Sequence, residues 1–279
     1  MEIHSDWGDW LPQAVAAADP DGIALWYLGC NGFVLKAGDG TTLFVDPYLG
    51  TGDPPRTIRM IPVPFEPTDV QAADAVLATH EHTDHVHGPS QAPILAETGA
   101  SFVGPAASVR KAREEETWTE TYGVSEDQYD VVSVGDTRTF GDLTVHVEPA
   151  HDPDAVAPVS YLLEYDGTTV FHGGDTKPDE ALAEIGSAYD IDLGILAFGS
   201  TGMIPDKKTR EPKRTTWYSD ETQVIDAAAQ LDLDRLLPTH WDMWKGLTAD
   251  PTALFDHQRS RAAPDRIDVV EIGDRLDLG

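Results

Sequence analysis

One short stretch constrains this chain more than any other, because it places four possible metal ligands within six positions. The apolar run over residues 75–78 is typical of the end of a buried strand, and an extended chain directs every second side chain to the same side. His80 and His82 can therefore bind one ion. If the chain then turns, Asp84 and His85 reach a second point nearby. Since imidazole and carboxylate suit zinc, iron or manganese, the stretch predicts two such ions rather than one.

The spacing His-x-His-x-Asp-His over residues 80–85 resembles the signature of the metallo-β-lactamase superfamily. This resemblance implies a mixed α/β (α+β) fold, a four-layer αβ/βα sandwich with a binuclear metal site at one edge. It also implies three later ligands, each following a predicted strand. In the arrangement that the family implies, the first ion has His80, His82 and His151, the second has Asp84, His85 and His240, and Asp175 bridges them.

Two parts of this assignment carry further expectations. Asp152 and Asp154 follow His151 and could be mistaken for the ligand; spacing favours His151, with Asp152 as the alternative. Asp84 and Asp175 are the predicted catalytic residues. Asp84 would orient the attacking group while it binds a metal ion, and Asp175 would bridge the two ions.

Several other segments are similar to the L-ascorbate-6-phosphate lactonase branch of that superfamily. They lie at residues 7–11, 25–32, 50–52, 206–207 and 240–244. The chain departs from the branch in a shorter stretch around residues 56–67, in an insertion at residues 208–214, and at His151, where the branch has a non-ligand. The resemblance implies a lactonase-type hydrolase, and the departures concern its substrate.

Three polar residues are candidates for supporting the ligands or the reaction. Asp46 ends a predicted strand, and its carboxylate either accepts a hydrogen bond from a metal-bound imidazole or forms an Asp-Pro turn; the family resemblance favours the first. His172 either supports Asp175 or is a satisfied core histidine. Asp242 is a candidate for protonating a leaving group.

Basic residues in two loops are candidates for binding the substrate. Arg56 and Arg59 lie in the Gly- and Pro-rich stretch 50–67, which is predicted to overhang the site. Lys207 and Lys208 begin a stretch with five of the chain's 19 basic residues within eight positions. This stretch is either an anion-binding loop or an exposed charged insertion.

Length and composition fit one enzyme domain. With 279 residues, 41% hydrophobic content and no linker, the chain is predicted to form a single domain over residues 1–279. No apolar run approaches the roughly 18 residues of a membrane span, and residues 1–6 lack the features of a secretory signal. The single cysteine, Cys30, is expected to serve packing rather than chemistry. Together these features predict a cytoplasmic protein.

The charge balance is strongly acidic. Forty-nine acidic and 19 basic residues give a net charge of −30, spread along the chain. Such a composition is typical of salt-loving organisms, because ~1 M salt shortens the Debye length to about 3 Å and screens the repulsion. We therefore expect a halophilic protein with a small-molecule substrate, rather than one that binds nucleic acid or membranes. A homo-oligomer is compatible with the sequence.

The predicted site indicates hydrolysis. Two divalent ions about 3.5–4 Å apart generate hydroxide from a shared water near neutral pH and polarise a carbonyl or phosphoryl group, so no side-chain nucleophile is needed. The first hypothesis is a metal-dependent hydrolase, with Zn or Mn, that opens a sugar-derived lactone with or without a phosphate. The alternatives are a phosphodiesterase or nuclease, which the acidic charge disfavours, and a non-catalytic metal-binding protein.

Overall fold

The computed structural model describes residues 3–199 and 201–279; Met1, Glu2 and Ser200 lie outside the described residues. The strands are β1 (Ile23–Gly29), β2 (Gly32–Ala37), β3 (Thr42–Val45), β4 (Ala75–Leu77), β5 (Ser101–Pro105), β6 (Tyr129–Val132), β7 (Thr137–Phe140), β8 (Leu143–Pro149), β9 (Val159–Tyr165), β10 (Thr168–His172), β11 (Leu193–Ala197), β12 (Thr201–Pro205), β13 (Pro212–Thr216), β14 (Arg235–Thr239), β15 (Arg266–Ile267) and β16 (Arg275–Leu278). The helices are α1 (Trp10–Ala17), α2 (Gly88–Thr98), α3 (Ala106–Arg110), α4 (Trp118–Tyr122), α5 (Glu180–Ala188), α6 (Glu221–Gln230) and α7 (Leu254–Gln258).

Most strands belong to two seven-stranded sheets. The first has the order β16-β1-β2-β3-β4-β5-β6, and the second has the order β15-β14-β11-β10-β9-β8-β7. In the first sheet β3 to β6 are parallel neighbours and β16, β1 and β2 are antiparallel. In the second, β10, β11, β14 and β15 are parallel, and β7 to β9 are antiparallel. Strands β12 and β13 form a separate hairpin.

Burial along β1 shows how the layers are built. All seven of its residues are buried, because successive side chains point alternately into two different cores. Leu25 and Tyr27 pack in the core between the two sheets, whereas Trp26 and Leu28 pack between the first sheet and α1 to α4. A third core, which includes Leu182 of α5, lies between the second sheet and its helices. The predicted four-layer αβ/βα sandwich is therefore confirmed.

Local sequence sets the helix boundaries. At the start of α6, Asp220 accepts a hydrogen bond from the backbone N–H of Gln223, whose side chain accepts one from the N–H of Asp220. This capping box satisfies two amide groups that a helix start otherwise leaves unpaired. Gly99 ends α2 in the left-handed conformation, with φ of 75°, that glycine adopts without strain. None of the described helices combines the length and apolarity needed to cross a bilayer.

Strand direction brings several loops to one edge of the sandwich. In the first sheet β1, β3 and β4 run the same way, and in the second sheet β8, β10 and β14 do. The loops after β4, β8, β10 and β14 contain the predicted metal ligands, and the loop after β3 begins with Asp46. Ligand sites in α/β proteins usually lie at the carboxyl ends of such strands.

Candidate metal centre

Seven ligand side chains converge at this edge in two groups that share one carboxylate. The turn after β4 supplies four of them, and the loops after β8, β10 and β14 supply one each. We call His80, His82 and Asp152 the outer group and Asp84, His85 and His240 the inner group, with Asp175 common to both.

The outer group has the spacing of a single metal site. His80 Nε2 lies 2.9 Å from His82 Nδ1 and 3.7 Å from Asp152 Oδ2, and His82 Nδ1 lies 3.6 Å from the same oxygen. Ligand atoms on one tetrahedral zinc ion are roughly 3.3 Å apart, because each lies about 2.0–2.1 Å from the metal. The side chain of His82 is 35% exposed, so solvent reaches this group.

The inner group lies deeper. His240 Nε2 is 3.8 Å from Asp84 Oδ2 and 3.4 Å from Asp175 Oδ1, and His85 Nε2 is 3.3 Å from Asp175 Oδ2. Both histidines are completely buried. The ring of Tyr218 stacks on His240 with 3.9 Å between centroids, and its hydroxyl donates to Asp84 Oδ2 over 3.5 Å.

Asp175 connects the groups in the way expected of a bridging ligand. Its Oδ2 atom lies 3.8 Å from His80 Nε2 and 3.3 Å from His85 Nε2. The amide of Asn31 donates to Oδ1 over 3.5 Å, and Thr239 Oγ1 in turn donates to the Asn31 oxygen over 2.7 Å. Asn31 and Thr239 therefore orient the bridge, a role that the sequence did not indicate because Asn31 lies in an ordinary Asn-Gly turn.

The environment of His85 tests whether a cation fits here. His85 Nδ1–H donates to Asp46 Oδ2 over 2.8 Å, while Nε2 is buried, faces the Asp175 carboxylate and has no hydrogen-bond partner in the described part of the chain. Burial opposes a charge on His85, but Asp175 and Asp46 outweigh it and raise the pKa of His85 well above its usual value. The site therefore attracts positive charge, and a metal ion can replace the proton. These residues fit divalent metal ions.

Asp46 supports both groups, as its predicted role requires. It is buried, and it accepts hydrogen bonds from the N–H and the hydroxyl of Thr79 over 2.8 and 2.7 Å. The Thr79 oxygen also lies 3.0 Å from His80 Nδ1, from which it can accept. Direct contact with His85 and indirect contact with His80 thus fix which ring nitrogen of each histidine faces the metal. The sequence did not single out Thr79.

The structure corrects one predicted ligand, His151. Its side chain is 49% exposed, and the nearest carboxylate is that of Asp179, 3.8 Å away. The next residue, Asp152, points into the outer group instead. Of these two adjacent side chains, only that of Asp152 therefore reaches the outer group. The alternative that the sequence offered, Asp152, lies in the outer group where His151 was expected.

His172 and Asp242 lie behind the ligands. His172 Nε2–H donates to the backbone oxygen of Asn31 over 2.9 Å, and Nδ1 accepts from the N–H of Gly174. Burial lowers its pKa, so His172 is a neutral core histidine that also positions the backbone beside Asp175. Asp242 accepts from the hydroxyl of Tyr27, and burial raises its pKa to about 6.

The four basic candidates have different environments. Arg59 donates to the backbone oxygens of Leu28, Tyr48, Gly50, Ile61 and Pro62. Its guanidinium is therefore occupied by the protein, which corrects the substrate-binding role predicted for it. Arg56 lies over the ring of Trp217, 5.1 Å from its centroid. Lys207 and Lys208 lie in the exposed turn between β12 and β13, and no described hydrogen bond or ion pair joins them to the ligands.

Three residues of this edge adopt a strained backbone. Cys30, Asp46 and His240 have φ angles of 60°, 46° and 66°, in the left-handed region that non-glycine residues rarely adopt. Such strain costs of order 1–3 kcal/mol per residue and is concentrated at functional sites. Here it turns the chain sharply at the ends of β1, β3 and β14, where side chains must point inward.

Sequence comparisons agree with this geometry. The family model described as "Beta-lactamase superfamily domain" matches residues 41–241, more than half of the chain. A protein from Salmonella gallinarum described as "Probable L-ascorbate-6-phosphate lactonase UlaG" is 26% identical over 299 residues, which cover 91% of this chain and 80% of that protein.

Solved structures share the fold. Igni18, a metallo hydrolase from Ignicoccus hospitalis, is 20% identical with a TM-score of 0.66 and covers 92% of this chain and 98% of its own. CmlA, a diiron β-hydroxylase from Streptomyces venezuelae, is 16% identical with a TM-score of 0.66 and covers 93% of this chain and 55% of its own. The chain therefore belongs to the metallo-β-lactamase superfamily, in its L-ascorbate-6-phosphate lactonase-like branch, as a metal-dependent hydrolase of that fold.

Proposed function

We propose that this protein hydrolyses the ester bond of a sugar-derived lactone. The observation that carries the proposal is the Asp175 carboxylate, which faces a histidine of the outer group and both histidines of the inner group. Two divalent ions in such a centre, zinc or manganese, supply an activated water and polarise the ester carbonyl. The resemblance to a protein named as a lactonase, over 91% of this chain, supports the substrate class.

The residues around the ions would hold and orient the reacting groups. Asp84 binds in the inner group, and the hydroxyl of Tyr218 fixes its carboxylate from one side. The solvent-exposed side of the centre lies at His82, so the lactone enters there. Hydrolysis of a lactone gives a single hydroxy acid, because the alcohol stays attached to the acid. No second product therefore has to leave the site.

Arg56 is the candidate for an anionic part of the substrate. Its guanidinium lies over Trp217, and the ring of Trp217 contacts that of Tyr218 edge to face with 6.4 Å between centroids. Since Tyr218 stacks on His240, Arg56 is connected to the inner group through two aromatic rings. Its Nε atom is buried and has no hydrogen-bond partner within residues 3–199 and 201–279, so it offers a donor for a phosphate or carboxylate.

Purified protein loaded with zinc or manganese provides the test. We expect ring opening of sugar-derived lactones, measured as acid release, and little cleavage of bis-(p-nitrophenyl) phosphate. The reverse pattern would replace the lactonase with a phosphodiesterase. Stoichiometric metal uptake with neither activity would show a metal-binding protein without this chemistry. Replacing Arg56 with Gln should raise KM for a phosphorylated lactone and leave KM for the unphosphorylated analogue unchanged.

A further inference from the structure

Cys30 lies in the turn between β1 and β2, directly beside the inner group. Its side chain is completely buried. Its Sγ atom lies 3.4 Å from His240 Nε2 and 3.9 Å from Asp84 Oδ2, and those two atoms are 3.8 Å apart. The three atoms form a nearly equilateral triangle, which is the arrangement that ligands of one ion adopt.

The size of this triangle fits a metal ion better than it fits a hydrogen bond. With metal–nitrogen bonds of about 2.0 Å and metal–sulfur bonds of about 2.3 Å, a tetrahedral ion separates nitrogen from sulfur by roughly 3.5 Å. A thiol has only one proton to donate, yet Sγ also lies 3.8 Å from the backbone oxygen of Asp84. Three potential acceptors therefore surround a single weak donor.

A second observation points to a cation at the same place. His85 Nε2 is completely buried, has no hydrogen-bond partner among the described residues and faces Asp175 Oδ2, and Asp175 Oδ1 contacts His240 Nε2. The unpaired nitrogen does not depend on the cysteine, and it faces the space that the inner group encloses. Both features are explained if one ion lies among these atoms.

We propose that the thiolate of Cys30 is a ligand of the inner metal ion, together with Asp84 and His240. The inner position is then a mixed sulfur, nitrogen and oxygen site, whereas the outer position has only nitrogen and oxygen ligands. The proposal rests on the metal centre of the proposed function but not on its substrate. In the metal-free protein, burial and then Asp84 and Asp175 raise the pKa of Cys30 well above its usual value. The thiol proton therefore passes to solvent as the metal–sulfur bond forms.

A packing role for Cys30 makes a different prediction. Cys30 lies in an apolar cluster with Tyr48, Trp244 and Leu247. If it served packing alone, Cys30→Ser would destabilise the metal-free and the metal-loaded protein equally. As a ligand, the same substitution reduces mainly the stabilisation that metal binding adds.

Cobalt titration of metal-free protein, in buffer without added thiols, tests the proposal. Because the chain has one cysteine, a thiolate-to-cobalt charge-transfer band in the near ultraviolet can arise only from Cys30. We expect this band to grow with one of two bound equivalents. In Cys30→Ser we expect the band to disappear, the visible cobalt bands of the outer ion to remain, and the inner ion to bind at least about tenfold more weakly. Tyr48→Phe, which keeps the neighbouring ring, should retain the band.

The outcomes separate this proposal from the proposed function. Two bound cobalt ions without the charge-transfer band would overturn the sulfur ligand and leave the hydrolase unaffected. No cobalt binding at all would overturn both. If the serine variant does not fold, the spectrum of the unmodified protein decides alone.

Metal competition gives an independent readout. Thiolate ligands favour zinc over manganese, which prefers oxygen donors. We expect Cys30→Ser to shift the zinc-to-manganese preference of the inner position towards manganese by about tenfold, with no shift at the outer position. Equal shifts at both positions, or none, would contradict a sulfur ligand.

Discussion

The outer and inner groups use the same residue types but are supported differently. The inner histidines are completely buried, and Asp46 and Tyr218 contact them through side chains. In the outer group, the distal nitrogen of His82 meets the backbone oxygen of Asp154, 3.2 Å away. An inner ion is therefore enclosed by the sandwich, whereas an outer ion depends on the loop after β8. We expect the inner ion to exchange more slowly and the outer ion to be the one that substrate approaches.

Removing the shared ligand should have the largest effect, because it breaks both groups at once. We expect Asp175→Ala to lose both ions and to lower kcat/KM by roughly 10³-fold, as expected when a set of transition-state stabilisers is lost. Metal analysis and lactone turnover measure the two effects. A variant that retains full turnover would show that Asp175 does not bridge.

A matched pair of adjacent substitutions tests the outer group. Asp152→Ala should lose one ion and about 100-fold in kcat/KM, since a ligand matters at least as much as the residues that support ligands. His151→Ala should keep both ions and change turnover less than about twofold, because its side chain points to solvent. The opposite ranking would restore His151 as the ligand.

The supporting residues provide the third comparison. Asp46→Asn should weaken metal binding at the inner group by about 10- to 100-fold, because the amide no longer fixes the His85 ring as a carboxylate does. Asp154→Ala is the control, since His82 contacts the backbone oxygen of that residue and not its carboxylate. Metal affinity measured against a chelator distinguishes them, and equal losses in both variants would contradict the contrast between the groups.

The metal-free groups should also differ in their response to pH. Burial opposes protonation of His85, but the carboxylates of Asp175 and Asp46 outweigh burial and raise the pKa of His85. For His80, burial and the charge of the neighbouring His85 lower the pKa. A histidine whose pKa is higher in the folded than in the unfolded protein stabilises the fold when it is protonated. This stabilisation is complete at pH values below the pKa in the unfolded protein, about 6.5, and is lost as the pH rises through the pKa in the folded protein.

The unfolding midpoint of metal-free protein should therefore fall as the pH rises through the pKa of His85, and inner-group affinity for zinc should rise over the same interval. His85→Gln removes the titrating group and should abolish the trend in the unfolding midpoint. A midpoint in metal-free protein that is insensitive to pH in that interval would exclude a protonated His85.

The salt concentration should change the stability of the acidic protein, and its effect on metal affinity should be the smallest of the effects predicted for the metal centre. With a net charge of −30, the unfolding midpoint should rise from dilute buffer to molar KCl as screening reduces the repulsion. Zinc affinity at the buried inner group should change less than affinity at the outer group. Equal midpoints in both buffers would refute the halophilic prediction.

The fold and much of the site could be predicted because the relevant signals are local. Residues 80–85 carry their spacing in the sequence, and Asp175 and His240 directly follow recognisable strands. His151 and Asp152 could not be separated in this way. They follow the end of β8 in an irregular loop, where the alternation that identifies buried side chains no longer applies.

Other contacts depend on the three-dimensional arrangement alone. Arg59 looked available for substrate because the sequence does not reveal where backbone oxygens point, and the fold directs five of them at its guanidinium. The proximity of Cys30 to Asp84 and His240 could not be predicted either, because those residues are 54 and 210 positions away. Long-range proximity of this kind has no local pattern.

The left-handed backbone at Cys30, Asp46 and His240 has a consequence for protein engineering. Glycine at any of these positions would relieve this strain, of order 1–3 kcal/mol, so selection for heat resistance alone would favour glycine there. Each such variant would lose a side chain that faces the ions or their partners. Libraries intended to improve robustness should therefore leave these three codons fixed and be screened for turnover as well as for survival on heating.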